Sequence, residues 1–288
     1  MRFALTTAAL ALFALGASPT VSASPRAKLV CATNAHANQT LEAQLAPLIA
    51  SQREQEGSHR AAPRVVQVHV HVISSGSKGN ISSARIQRQM AVLNSDYSQA
   101  NYRFKLASTS HTDKAAWYGT IQDETTPSGL DMKKALHRGG KADLNLYVTS
   151  LASGLLGYGT FPWFYNTAGN PEWIDGVVVH SRSLPTTSTA FAPYNGGRTA
   201  THEIGHWLGL YHPFQGETCA SNPGDYVSDT PKQRDPTYGC PKSKNTCSSA
   251  GADSIHNFMD YSDDACMQKF TAGQVTRLHV VSSKYRGI

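Results

Sequence analysis

The chain has 288 residues, 40% of them hydrophobic, with 26 Lys+Arg against 20 Asp+Glu, a formal charge of +6 and five cysteines. This composition is that of a globular protein and excludes wholesale disorder, collagen and coiled coil, while the length allows one large domain or two modest ones. The basic excess is scattered, six basic against three acidic residues over 1–64 and 20 against 17 over the rest. It forms no dense block, so no nucleic-acid partner is predicted.

Met1 and Arg2 give a short positive start, residues Ala4 to Ala17 are almost all apolar or small, and Val21-Ser22-Ala23 offers a small-residue cleavage site. Residues 1–23 therefore read as a secretory signal peptide, its apolar stretch too short to span a bilayer, and the protein is predicted to be secreted, with no membrane anchor. Export places the cysteines where disulfides form. Asn38-Gln39-Thr40 and Asn80-Ile81-Ser82 fit the N-glycosylation pattern.

Leu41 to Ile49 is predicted as a short helix and Ser51 to Pro63 as a polar linker. Val65 to Ile73 is β-branched and alternates with polar residues, which predicts a strand. His69 and His71 face the same way on it and are read as a polar strand face, because no third ligand lies nearby in sequence. A helical pattern begins at Ser82, with Ile86, Met90, Leu93 and Tyr97 on one face. Tyr102 to Leu106, Leu144 to Val148 and Ile174 to His180 are further strands, and the unbroken Val177-Val178-Val179 predicts burial. This order predicts an α/β domain with a mixed sheet.

The decisive segment is Thr201-His202-Glu203-Ile204-Gly205-His206-Trp207-Leu208-Gly209-Leu210-Tyr211-His212. His202 and His206 lie one helical turn apart, so two imidazoles reach one Zn2+. Gly209 stops the helix and turns the chain, which brings back His212 as the third ligand. Three protein ligands leave the fourth position open, the catalytic rather than the structural arrangement. Glu203 points beside the metal and accepts a proton from the attacking water.

With Asn257-Phe258-Met259-Asp260-Tyr261, whose Met259 lies 47 residues beyond His212, this motif resembles that of the metzincin metalloproteases. Gly197-Arg198-Thr199-Ala200-Thr201 before the zinc helix and Gly224-Asp225-Tyr226-Val227-Ser228-Asp229-Thr230-Pro231 after it narrow the resemblance to the pappalysin family, which includes ulilysin and secreted fungal metalloproteases. The resemblance spans Val65 to the C-terminus. It implies an α/β (α+β) zincin in which a twisted mixed sheet carries the zinc-binding helix, beside a loop-rich, disulfide-stapled C-terminal subdomain. The implied layout is a signal peptide over 1–23, a pro-segment over 24–64 matured near Arg60 or Arg64, and a catalytic domain over 65–288. Met259 becomes the apolar floor beneath the histidines, and Tyr261 a hydrogen-bond donor to the reaction intermediate.

Four cysteines allow three pairings, and spacing does not choose among them. The resemblance implies Cys219–Cys247 and Cys240–Cys266. Cys31 is left over, and its thiolate is a candidate zymogen switch on the open zinc position; the family more often has Gly after this cysteine, and here Ala32 follows it. Asp225, Asp229 and Thr230 are candidate Ca2+ ligands. Asp263 and Asp264 lie where the family walls the pocket for the residue after the scissile bond, and a carboxylate there favours Lys or Arg. Gly154 to Trp163 lies beside the edge strand that pairs with substrate.

The expected function is that of a secreted, monomeric zinc endopeptidase acting on proteins or peptides. The alternative is a secreted zinc-containing binding protein that keeps the metzincin scaffold without proteolysis.

Overall fold

A computed structural model describes residues 30–33, 38–55, 62–220, 224–248 and 251–288. The predicted signal peptide over 1–23 and the candidate maturation residue Arg60 lie outside the described residues. The central strand is β2 (Arg64–Ser74), which pairs in parallel with β3 (Tyr102–Asp113) on one side and β4 (Asp143–Thr149) on the other. β6 (Val177–His180) continues the parallel run, and β5 (Leu155–Gly159) is antiparallel to it. A two-residue strand from the predicted pro-segment, β1 (Val30–Cys31), lies parallel to the outer edge of β5, giving the order β1-β5-β6-β4-β2-β3.

Both faces of this mixed sheet are covered. On one face Val66, Val68, Val70, Val72, Leu146, Val177 and Val179 pack under α2 (Ser83–Asp96) and α4 (Arg198–Trp207), meeting Ile86, Met90, Leu93 and Ile204. On the other, Tyr147, Tyr158 and Val178 join Trp117, Ile121 and Met132, the last from α3 (Pro127–Leu136). This explains the unbroken valine run: its members alternate between two separate cores. Each fully buried aliphatic side chain contributes about 1.5–3 kcal/mol, so the sheet centre is the main source of stability.

Several elements differ from expectation. The strand expected from Ile174 starts at Val177, because Glu172–Ile174 forms a 3-10 turn and Gly176 has φ 125°. β3 runs past Leu106 to Asp113: its outer half is polar but is held by register with His69 to Ser74 of β2. The short helix expected over 41–49 is α1 (Gln39–Gln55), which takes in the first residues of the expected linker. Asn38 caps it, its Oδ1 accepting from Thr40 and Leu41 N–H at 3.1 and 3.2 Å.

Beyond α4 the described residues form loops up to α5 (Ala272–Val281), which a Thr271–Gln274 capping box opens. Disulfides Cys219–Cys247 and Cys240–Cys266 staple this loop-rich region. No helix among the described residues is long and apolar enough to cross a membrane.

Candidate metal centre

α4 carries the first two histidines, and every residue from Thr199 to Trp207 is buried. Gly197 begins it with φ 91°, and Gly209 turns the chain with φ 105°, which returns His212 towards the helix. The three Nε2 atoms converge: His202 lies 3.2 Å from His206, and His212 lies 3.1 Å from each. His202 Nδ1 meets the Phe258 carbonyl at 2.8 Å and His206 Nδ1 meets that of Leu210 at 2.7 Å. A carbonyl only accepts, so these Nδ1 atoms carry the protons and the Nε2 atoms present bare lone pairs. Such lone pairs cannot hydrogen-bond one another. Their spacing is close to the roughly 3.3 Å edge of a tetrahedron with metal bonds of about 2.0–2.1 Å, so the donor set fits Zn2+. Burial keeps the rings neutral, holding His202 down at about 4 and lowering His206 and His212 as well.

The scaffold around α4 fixes these rings. Met259 is fully buried beneath the helix, and a Cβ on Gly205 would lie 2.3 Å from its Sδ, so only glycine leaves room for that floor. Asn257 ties the same turn to α5 through Gln274 Oε1 at 2.7 Å. Two buried arginines from the C-terminal end serve the carbonyls where the zinc helix stops: Arg277 Nε donates to Gly209 O and Arg286 Nε to Trp207 O, at 2.9 and 2.8 Å. Arg286 also pairs with Asp175, which accepts from Trp207 Nε1. Sequence reasoning passed over both arginines, since their partners are far away in the chain.

Glu203 lies on the side of α4 that faces β5, which approaches closely because Gly157 and Gly159 carry no side chain; a Cβ on either would fall within 3.0 Å of Glu203 atoms. Burial pushes the Glu203 carboxyl up to about 8. Its Oε2 accepts from Cys31 Sγ at 3.2 Å and from Thr33 Oγ1 at 3.1 Å. Thr33 Oγ1 in turn accepts from Gly159 N–H at 2.9 Å. Cys31 Sγ and one ring nitrogen of each of the three histidines all lie within 4.8 Å of one another. Burial and the neighbouring Glu203 push its thiol upward. Tyr261 packs on His202 and His212 with centroids 5.6 and 5.1 Å away, and its phenol donates to Cys31 O at 3.4 Å. Thr33 is the residue of this group that the sequence reading missed.

A pocket opens beside Glu203 between Leu156, Tyr194, Thr199, Asp264 and Met267. Of the two aspartates after the Met259 turn, Asp264 lines it and Asp263 does not. Asp264 Oδ2 accepts from Gly196 N–H at 2.6 Å, and burial pushes its carboxyl up to about 6. Thr199 Oγ1 is buried there without a hydrogen-bond partner.

The candidate calcium residues Asp225, Asp229 and Thr230 border one open cavity. Asp229 is committed elsewhere: its oxygens accept from Thr271 Oγ1 and Gly273 N–H, both at 2.8 Å, at the start of α5. Asp225 keeps Oδ2 buried without a partner. Asn38 and Asn80 are both exposed. His69 and His71 are hydrogen-bonded to Ser108 and Ser110 and join no metal-ligating group among the described residues.

The profile of the pregnancy-associated plasma protein-A peptidase family, M43, matches residues 134–282. An extracellular metalloprotease of Colletotrichum graminicola is 43% identical over 231 residues, 79% of this chain and 80% of that protein. Another from Arthroderma benhamiae is 44% identical over 214 residues, 74% of this chain and 75% of that one. Mature mirolysin of Tannerella forsythia in complex with a cleaved peptide superposes with TM-score 0.64 at 31% identity, covering 76% of this chain and 92% of that one. A promirolysin mutant superposes with TM-score 0.67 at 30% identity over 87% of this chain and 91% of that one. A histidine trio converging beside a buried glutamate, on a chain this close to named metalloproteases, makes the protein a metalloendopeptidase and a member of the pappalysin family of metzincins.

Proposed function

We propose that the chain is a secreted zinc endopeptidase made as a latent precursor, with a signal peptide over 1–23, a pro-segment over 24–64 and a monomeric catalytic domain over 65–288. The observation that carries this is the convergence of three histidine Nε2 atoms at 3.1–3.2 Å, with Glu203 beside them. Relatives named as extracellular proteases support secretion. The extended match to the pro-form of mirolysin supports latency.

His202, His206 and His212 hold the metal. Zn2+ bound there supplies Lewis acidity, lowering the pKa of water towards neutrality and polarising the scissile carbonyl. Glu203 takes the proton of the attacking water and delivers it to the leaving amine. Tyr261 donates its phenol hydrogen to the developing oxyanion. β5 pairs with the extended substrate along the edge that β1 now covers, where Ala32 N–H donates to Gly157 O at 3.0 Å. Asp264 and the unpartnered Thr199 hydroxyl suit a Lys or Arg after the scissile bond.

In the precursor, Cys31 would join the three histidines in holding the metal, while Thr33 engages Glu203. Asp225 and Thr230 hold a Ca2+, and Asn38 and Asn80 accept glycans.

Purified, processed protein should contain one zinc per chain and digest casein in a chelator-sensitive way. Absence of either stoichiometric zinc or hydrolysis overturns the proposal.

A further inference from the structure

α1 begins eight residues after the metal-facing β1 and docks on α5, so its seat belongs wholly to the predicted catalytic domain. Glu42 is 5% exposed and meets Arg277, 1% exposed, in a two-pronged pair: Nη1 to Oε2 at 2.6 Å and Nη2 to Oε1 at 2.7 Å. One helical turn on, Leu45 is fully buried against Val280 and Val281, with Leu41, Ile49, Trp163 and Tyr285 packed around it. Charge and shape thus coincide: a carboxylate clamp, then an aliphatic socket three residues further along one helix face.

The arginine does not need α1 to stay in place. Its Nε donates to Gly209 O at 2.9 Å, and its guanidinium lies 5.0 Å from the centroid of the Tyr211 ring. Both interactions are within the catalytic domain. When α1 leaves, the two Nη atoms lose Glu42 while the fork remains aimed at the same groove. The fork then opens to solvent but stays oriented by Gly209 and Tyr211, so an incoming carboxylate meets a pre-positioned two-pronged partner.

The departing segment is a poor competitor for that groove. Pro47 stands inside α1, where it removes a backbone donor and crowds the preceding turn. The helix is therefore weak on its own and depends on docking for its form.

We propose that the Arg277 groove is a substrate-docking exosite of the mature protease. Its occupant is a helical segment of a protein substrate carrying Glu three residues before Leu, the spacing of Glu42 and Leu45. This rests on the reading of 24–64 as a pro-segment that is removed. The groove gives the enzyme a preference for helix-bearing proteins that is independent of the residues beside the cut.

The probe is a fluorescein-labelled peptide of residues 38–55 carrying Pro47→Ala, titrated into processed protein by anisotropy. Saturable binding is expected, weaker by about tenfold or more for the Glu42→Gln version, since a buried charge-assisted pair is lost. The unaltered Pro47 peptide should bind more weakly than the Pro47→Ala peptide. Joined by a flexible linker to a cleavable peptide, the Pro47→Ala helix should lower KM and leave kcat unchanged, and Glu42→Gln should undo this. No saturable binding, or equal binding of the Glu42→Gln peptide, overturns the exosite. Binding needs no turnover, so a groove that binds on a protein that cleaves nothing would refute the peptidase reading alone, and cleavage without binding would refute the exosite alone.

Discussion

The Thr33 hydroxyl donates to Glu203 Oε2 across 3.1 Å, the oxygen that Cys31 Sγ also approaches at 3.2 Å. Under the proposed latency, the segment would act on two centres at once, the metal site through Cys31, which lies beside the three histidines, and the carboxylate that must take a proton through Thr33. Thr33 further ties itself to the Gly159 N–H on β5, so its loss loosens the segment from both α4 and the sheet edge. Cys31→Ala should make the unprocessed protein active. Thr33→Val alone should raise its basal hydrolysis of a fluorogenic peptide by up to about tenfold, the size expected for losing one buried hydrogen bond. Unchanged latency in Cys31→Ala, or no added activity from Thr33→Val in either background, would count against this arrangement.

Glu203 touches no histidine nitrogen in the hydrogen-bond pattern, whereas the three Nε2 atoms face one another. Binding the metal and moving the proton should therefore separate. Glu203→Ala should retain one zinc per chain and lose about 10²–10⁴-fold in kcat, the range of general acid–base catalysis. His212→Ala should lose zinc as well as activity, because two ligands remain where three converged. Metal analysis of both purified variants checks the pair, and wild-type proteolysis in Glu203→Ala would refute the mechanism.

Cys219–Cys247 and Cys240–Cys266 span 28 and 26 residues in a region whose described residues form loops between α4 and α5. Closing a loop of that size is worth about 3.5 kcal/mol through the unfolded chain. Replacing Cys219 and Cys247 together by Ala should lower Tm clearly and raise susceptibility to proteolysis after α4. Non-reducing peptide mapping should recover the interleaved links. Sequential pairs would show that the staple is wired differently.

Asp225 presents a buried, unpartnered Oδ2 beside an open cavity, and Thr230 stands on the same loop. The proposed Ca2+ would satisfy that oxygen. Added Ca2+ should raise Tm of the wild type, and Asp225→Asn should abolish the increase. Asp229→Asn should destabilise even without calcium, since Asp229 serves Thr271 and Gly273 at the start of α5. An equal calcium response in wild type and Asp225→Asn would remove the site.

The chemistry was legible because it is local: one turn of helix and a glycine bend set His202, His206 and His212. The sheet was legible where side chains alternate or run apolar, as in β2 and β6. The polar end of β3 was not, because backbone register with β2 holds it rather than burial. α5 carries a Thr271–Gln274 capping box, and Pro127 at the first position of α3 is another start signal; both were available and unused. Arg277 and Arg286 are different in kind. Nothing next to them in sequence indicates that they hold the end of the zinc helix, 68 and 79 residues earlier.

The role proposed for Asp264 predicts a pH-dependent substrate preference. Burial holds its carboxyl at about 6, while Gly196 and Arg198 N–H groups and the Arg198 cation pull it downward; Tyr194, Glu203 and Tyr261 border the same pocket. The carboxyl is ionised above that value and neutral below it. A cationic side chain after the scissile bond should therefore be favoured at pH 7.5 and lose its advantage on acidification. The ratio of kcat/KM for paired peptides with Arg or Leu at that position reports the free enzyme, and steps common to both peptides cancel. The ratio should fall roughly tenfold from about pH 7.5 to 5, as the ionised fraction drops. In Asp264→Asn it should be low and flat throughout. A wild-type ratio that does not change across this range would mean that Asp264 does not read the substrate.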